Sequence, residues 1–247
     1  MCIRDRLLTV ANEASNLTTT VAELKAALEI APAVERTNLR SRLTDAESKI
    51  AASQSIAQFN QELGNLERFQ TEDFYGILKA MDTLPVVIRL LDAPLHEFLP
   101  DYENLLEEVI NLRRLPVSAE LETKERELQL IRGMQEANPM LGHRGCRVGM
   151  TMPEVYEMQV RSIMTAACRL TGEGYTVFPE IMIPIVSHVN ELTFLKPRLE
   201  KEAEDTCTRL GVKVGYKFGT MIEVPRAALT SGDIAKEAEF FSFGSND

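Results

Sequence analysis

The first part of the chain has the periodicity of amphipathic helices. Apolar residues recur every three or four positions at Leu17, Val21, Leu24 and Leu28. A second helical pattern follows Pro32, with apolar positions at Leu39, Leu43, Ile50, Ile56, Phe59 and Leu63. Thr44 and Glu47 have the spacing of a capping box, which predicts a break or restart inside this second helix. We interpret residues 7–66 as a helical hairpin or short coiled coil, and favour a peripheral structural insertion over a binding module.

From about residue 67 the pattern changes to short apolar runs that alternate with helical periodicity. Five runs predict strands, at residues 86–91, 146–150, 177–183, 216–222 and 240–243. Helical patterns fall at residues 103–114, 124–136, 153–170, 189–210 and 226–239. Strands that alternate with helices predict βαβ units, a parallel sheet and the α/β class. Because a closed (β/α)8 barrel needs eight strands, five candidates indicate only part of one.

Composition restricts the class of protein further. The chain has 247 residues, of which 45% are hydrophobic, and this supports a sizeable folded core. Its formal net charge of −10 argues against a nucleic-acid-binding module. The most apolar stretch, residues 177–189, is interrupted by proline and charge, and is shorter than the ~20 residues of a spanning helix. We therefore predict neither a nucleic-acid partner nor a membrane span.

The N-terminal residues and the cysteines bear on the cellular location of the protein. Residues 1–6, MCIRDR, match neither pattern, and we treat them as a scar of cloning or sequence assembly, outside the fold prediction. The arginines that follow the initial Met precede only a brief apolar run, which does not resemble a secretory signal. The four cysteines have no CxxC or zinc-finger spacing. They are typical of reduced thiols, so we predict a cytoplasmic protein.

Two carboxylates stand where predicted strands end. Glu223 ends the apolar run before Pro225, and Asp247 follows the last predicted strand, one β-loop-helix-loop unit later. Functional side chains of parallel α/β proteins gather at the carboxyl ends of strands, which open on a common mouth. Paired carboxylates there suit Mg²⁺ or Mn²⁺. The alternative is that both carboxylates only cap the helices that follow them.

Two arginines point to an anionic ligand at the same mouth. Arg89 lies in an apolar strand, and Arg144 lies in the glycine-flanked segment NPMLGHRGCR. A guanidinium fork suits phosphate and carboxylate groups, although internal salt bridges to barrel carboxylates explain the arginines equally well. Gly244 allows close approach of the backbone to a ligand, and residues 245–247 then offer amide donors to an anion.

Four collinear segments carry a resemblance to a known family. They include RLLDAPLHEFLP, GHRGCR, PEIMIPIV and FGTMIEVPRAAL, and they lie within residues 69–100, 138–164, 179–186 and 218–247. These segments resemble the C-terminal phosphoenolpyruvate/pyruvate-binding (β/α)8 domain of pyruvate, phosphate dikinases. The resemblance implies a partial TIM barrel, about strands three to seven, at residues 67–247. It leaves the helical stretch 7–66 as an insertion before the Arg89 strand.

The resemblance also implies roles for matching positions. Arg89 and Arg144 would be catalytic and bind the phosphoryl group that passes between a phosphohistidine and pyruvate. Glu223 and Asp247 would hold Mg²⁺, the implied cofactor, and contact the substrate through it. The pocket for the substrate carboxylate and enolate would be lined by Ser242, Gly244, Ser245 and Asn246.

An intact enzyme of this family would interconvert ATP, phosphate and pyruvate with AMP, diphosphate and phosphoenolpyruvate. Its ATP-grasp and phosphohistidine domains have no counterpart in this sequence, and the resemblance implies a homodimer for the intact protein. We therefore expect an internal fragment that is inactive by itself. Two alternatives stay open: a Mg²⁺-dependent carbon–carbon lyase built on a related pyruvate-binding barrel, and a non-catalytic interaction module built on residues 7–66.

Overall fold

The computed structural model of the protein describes residues 20–21, 24–25, 27–28, 33–92, 102–114, 119–134 and 142–244. The chain divides into two compact units between Asn65 and Leu66. Among the described residues, no helix is both long enough and apolar enough to cross a membrane. Each unit has its own hydrophobic core.

The first unit is helical at its described positions. Helix α1 (Ala33–Ala52) contributes Ala46 to a small core with Val21 and Leu24, since these three side chains are buried together. The predicted break at Thr44 is wrong. Its hydroxyl instead donates to the Arg40 carbonyl one helical turn earlier (3.0 Å), so the residue continues the helix.

The break after α1 falls at Ser53, whose side chain accepts a hydrogen bond from the Ile56 amide (3.3 Å). Helix α2 (Gln54–Ala80) then runs past residue 67, where the sequence pattern changes. The change in apolar spacing therefore does not mark the end of a helix. A long helix continues because no proline interrupts it before Pro85.

The second unit is built on four parallel strands in sequential order: β1 (Pro85–Arg89), β2 (Phe178–Ile183), β3 (Lys217–Ile222) and β4 (Phe241–Phe243). The sheet curls into half a barrel, which confirms the predicted partial TIM barrel. Arg89 pairs with Met182, and Ile222 pairs with Phe243. The carboxyl ends of the strands therefore reach one common edge, called here the carboxyl edge.

The described helices of this unit, after α2, are α3 (Tyr102–Leu112), α4 (Ala119–Met134), α5 (Cys146–Thr151), α6 (Pro153–Gly172), α7 (Val189–Leu210), α8 (Pro225–Leu229) and α9 (Ser231–Ile234). The core lies between the sheet and α6 and α7, where Ile163, Leu195, Ile181 and Phe218 are almost fully buried. The interior is apolar because parallel strands with helical crossovers bury the face that the helices cover.

One predicted strand is wrong, because residues 146–150 form helix α5. Gly145 has a φ of +57°, which turns the chain before the apolar run can extend. The Cys146 amide donates to the Pro184 carbonyl (3.1 Å), so the turn is held against the end of β2. Gly149 lies flat on Tyr156, since an added Cβ would be 2.6 Å from the ring. The predicted helix over 226–239 is also wrong, because the short helices α8 and α9 take its place and residues 235–239 are not helical.

Candidate functional site

The carboxyl edge collects the polar residues that interrupt otherwise apolar strands. Arg89 ends β1, and Asp92 follows three residues later. Glu223 directly follows β3, and Gly244 directly follows β4. Arg144 comes from the loop before α5, which is held to the end of β2. Strands and loops that are remote in sequence therefore bring these groups to one edge of the sheet.

Asp92 is the centre of the arginine cluster. Arg144 donates from Nη2 to Asp92 Oδ2 (3.0 Å), and from Nε to Oδ1 (3.2 Å) and to the Asp92 carbonyl (3.0 Å). Arg89 Nη1 lies 3.3 Å from the same Oδ2. The Asp92 side chain is only 3% exposed, whereas that of Arg89 is 50% exposed. A nearly buried carboxylate thus orients two guanidinium groups, one of which faces solvent over half of its surface.

Helix α6 fixes the backbone that carries Asp92. The Leu91 amide donates to Gln159 Oε1 (2.8 Å), and the Tyr156 hydroxyl donates to the Leu91 carbonyl (2.9 Å). Burial raises the pKa of Tyr156, so the phenol keeps its proton and remains a donor. Both polar groups of the residue before Asp92 are therefore satisfied by buried side chains.

Glu223 is held from the neighbouring strand. Its Oε1 accepts a hydrogen bond from the Ile185 amide (2.6 Å), which fixes the carboxylate at the carboxyl edge. Gly244 lies against it, since an added Cβ would be 2.8 Å from Glu223 Cβ and 3.1 Å from Met221 Cε. Any side chain at residue 244 would displace the glutamate. The packing around Glu223 therefore requires glycine at residue 244.

The donor chemistry here is compatible with a hard divalent cation. Mg²⁺ uses one or two carboxylates and completes its shell with water and substrate oxygens, so a glutamate carboxylate oriented at this edge is a suitable ligand. Within the described residues, no group of three or more His, Cys, Asp or Glu could hold a metal. The second predicted ligand, Asp247, lies outside the described residues.

Comparison with known proteins gives the family. A sequence model of the PEP-utilising enzymes, for their PEP-binding domain, matches residues 18–247. The chain belongs to this family. Its match confirms the family resemblance carried by the four sequence segments.

Several relatives of this PEP-binding domain are pyruvate, phosphate dikinases. The protein of that name from Entamoeba histolytica is 45% identical over 200 residues, which cover 81% of this chain and 23% of that protein. Pyruvate, phosphate dikinase 2 of Zea mays is 49% identical over 187 residues, covering 76% and 21%. The chloroplastic pyruvate, phosphate dikinase 1 of Arabidopsis thaliana is 48% identical over 202 residues, which cover 81% of this chain and 20% of that protein. The chain thus spans about a fifth of the length of these relatives.

The structure places only some of the site residues predicted for this PEP-binding domain. Arg89 and Arg144 both form salt bridges with Asp92. The internal salt bridges that were the alternative explanation for these arginines therefore exist, at the same edge where the ligand site is predicted. Ser242 is half-buried in β4, in register with Met221, two residues before Gly244. Three predicted residues lie outside the described part of the chain, namely Ser245, Asn246 and Asp247.

Sequence reasoning missed Asp92 and Ile185. Asp92 had a usable signal, because it is an acidic residue at the end of an apolar strand, as Glu223 is. Ile185 had none, since it acts through its backbone amide rather than its side chain. The need for glycine at residue 145 was also missed. The structure shows this need, because an added Cβ there would be 3.1 Å from Asp92 Oδ1.

Proposed function

We propose that the carboxyl edge of this PEP-binding domain binds pyruvate or phosphoenolpyruvate together with Mg²⁺, as part of a pyruvate, phosphate dikinase. Such an enzyme interconverts ATP, phosphate and pyruvate with AMP, diphosphate and phosphoenolpyruvate through a phosphohistidine. One observation carries the proposal. A buried aspartate holds two arginines at the edge where Glu223 and Gly244 also lie.

The arginine cluster suits a small dianion. Two guanidinium groups and a single carboxylate leave one net positive charge on the cluster of Arg89, Arg144 and Asp92, which favours an anion such as a phosphoryl group. Phosphoryl transfer depends mainly on positioning and on neutralising charge. Because Asp92 and the buried Tyr156 fix the geometry in advance, little reorganisation is needed when the anion binds.

The part of the carboxyl edge around Glu223 and Gly244 suits the cation and the organic part of the substrate. In this proposal Glu223 and Asp247 would hold Mg²⁺, which would supply stabilisation of negative charge on a substrate oxygen. The substrate carboxylate and enolate would be contacted by Ser242, Gly244, Ser245 and Asn246. Close packing of Gly244 on Glu223 supports this arrangement, since it brings the backbone at residue 244 next to the proposed metal-binding side chain.

The remaining steps would belong to a longer protein. The chain spans about a fifth of its dikinase relatives, and the phosphohistidine and ATP-grasp domains are its proposed partners there. The homodimer and the cytoplasmic location both stay predictions. Several plant relatives are named chloroplastic. We expect the 247-residue chain alone to form no pyruvate from phosphoenolpyruvate, AMP, diphosphate and Mg²⁺. Steady pyruvate formation in a coupled assay would contradict this.

Ligand binding tests the proposal directly. Calorimetric titration of the 247-residue chain with phosphoenolpyruvate should give binding that requires Mg²⁺. Gly244→Ala should weaken that binding about tenfold, because the new methyl group displaces Glu223. Gly232→Ala is the matched control, since no atom lies within 4 Å of its added Cβ, and it should bind as the wild type does. Binding that is independent of Mg²⁺, or equal in the two variants, would contradict the proposal.

A further inference from the structure

Ile185 has a backbone conformation that its side chain disfavours. Its φ is +55°, and the other non-glycine residue with positive φ among the described residues is Thr83. A β-branched residue in the left-handed region is an outlier, because its Cβ crowds the backbone. The side chain is nevertheless buried, with 4% exposed. The surrounding contacts must therefore impose this conformation.

Those contacts come from Cys146 on one side and reach Glu223 on the other. The Cys146 amide donates to the Pro184 carbonyl (3.1 Å), and its Sγ donates to the Ile185 carbonyl (3.1 Å). The Ile185 amide then donates to Glu223 Oε1 (2.6 Å). The left-handed conformation of Ile185 thus directs its carbonyl towards α5 and its amide towards β3.

The same turn is packed on the loop that carries Arg144. An added Cβ on Gly145 would be 3.1 Å from Ile185 Cβ and also 3.1 Å from Asp92 Oδ1. Gly145 itself has a φ of +57°, so two left-handed residues lie in contact. The Ile185 turn therefore cannot relax without moving the loop that carries Arg144 and Gly145.

We propose that Ile185 and Cys146 are positioning residues for Glu223, holding its carboxylate through the Ile185 amide for binding of a divalent cation. In this role neither residue is itself a ligand of the cation. The inference rests on the proposed function only in taking Glu223 as a metal-binding carboxylate. It adds a buried thiol and a backbone amide as the groups that orient this ligand.

The chemistry of Cys146 suits this role. Burial, and after it the charge of Glu191, raises the pKa of the Cys146 thiol to about 12. The thiol therefore keeps its proton at neutral pH and remains a donor to the Ile185 carbonyl. Removing a group that orients a metal ligand typically weakens metal binding roughly ten- to a hundredfold.

Amide hydrogen exchange tests the positioning without any metal. In Cys146→Ala, the Ile185 amide of the 247-residue chain should exchange roughly tenfold faster, because its carbonyl has lost a partner. Cys146→Ser restores a donor and should restore slow exchange. Cys168→Ala is the matched control, since this thiol is also buried, 2% exposed, but lies on α6. Unchanged exchange in Cys146→Ala would overturn the inference.

Binding of Mn²⁺, measured by electron paramagnetic resonance, tests the consequence for the ligand. The affinity should fall about tenfold in Cys146→Ala, recover in Cys146→Ser and stay at the wild-type value in Cys168→Ala. Equal losses in both alanine variants would overturn the positioning role. A wild-type chain that binds no Mn²⁺ would instead overturn the proposed function, while the exchange measurement would still decide whether Cys146 and Ile185 hold Glu223.

Discussion

Asp92 combines deep burial with a negative charge and two cationic neighbours. Burying a carboxylate is costly unless it is paired and hydrogen-bonded, and Arg144 meets both conditions with a two-point contact. Among the residues that the structure describes, Asp92 holds Arg89 at one point, through Nη1, and half of the Arg89 side chain is exposed. The two arginines therefore differ in freedom, although both depend on the same carboxylate.

Replacing this carboxylate by an amide should be strongly destabilising. Asp92→Asn keeps the shape but places two guanidinium groups around a neutral side chain, so we expect a loss of about 2–3 kcal/mol in the free energy of unfolding. Urea denaturation measures it. Asp233→Asn provides the control, because that side chain is 63% exposed and pairs only with Lys236 in the described structure. Equal effects of the two substitutions would contradict a central role for Asp92.

Helices α5 and α6 form the element that connects the core to the carboxyl edge. Helix α6 supplies Tyr156 and Gln159 to the backbone before Asp92. Helix α5 packs Gly149 against the Tyr156 ring and fastens Cys146 to the end of β2. The edge is therefore positioned by helix packing as well as by the strands that carry its residues.

The same substitution should have opposite effects in two helices. Gly149→Ala would place a methyl group 2.6 Å from the Tyr156 ring, so we expect a loss of about 1–3 kcal/mol from overpacking. Gly76→Ala in α2 meets no atom within 4 Å and should raise stability by about 0.5–1 kcal/mol, because alanine favours helix. Thermal unfolding measures both. Destabilisation by Gly76→Ala would show that the second site is more crowded than its packing indicates.

Elements with strong local signals were predictable from the sequence. The bounds of α7 are predicted correctly, because His188 and Glu191 form a capping box and Gly211 ends the helix with a φ of +67°. Strands β2 and β3 are predicted to within one residue, since burial makes their sequences almost continuously apolar. Residues 146–150 were misassigned because a short apolar run does not distinguish a strand from a buried helical turn.

The site was predictable only where side chains carry it. Arg89, Arg144 and Glu223 could be predicted to lie at the carboxyl edge because each is a charged residue in or beside an apolar or glycine-flanked segment. Ile185 could not be found, since its contribution is a backbone amide in a conformation that tertiary contacts impose. The pairing of Arg144 with Asp92 likewise depends on a contact between residues far apart in sequence, whereas Arg89 lies three residues before Asp92.

At the scale of the whole molecule, burial sets the response to alkaline conditions. Desolvation raises the pKa of Cys146 and of Cys168 to about 12 in the folded state. The unfolded thiols ionise near their ordinary pKa of about 9. Above that pH the unfolded chain releases protons that the folded chain keeps. Stability from these thiols is therefore complete below about pH 9 and is lost as the pH rises towards 12.

We accordingly expect the free energy of unfolding to fall with rising pH over this window. The slope from each thiol should approach about 1.4 kcal/mol per pH unit. Urea titrations at intervals between pH 8 and pH 11 measure the slope, and the double variant Cys146→Ser, Cys168→Ser should flatten it, because serine does not ionise there. A pH profile that is the same in the double variant would exclude the buried thiols as its cause.

The sequential order of the parallel strands has a consequence for how the chain acquires its structure. The segment from β1 to β2 covers residues 90–177, whereas those joining β2 to β3 and β3 to β4 cover residues 184–216 and 223–240. Closing a longer loop costs more entropy and slows pairing. We therefore expect β2, β3 and β4 to associate before β1 docks. The glutamate side of the edge would form early in folding, and the arginine cluster would assemble last.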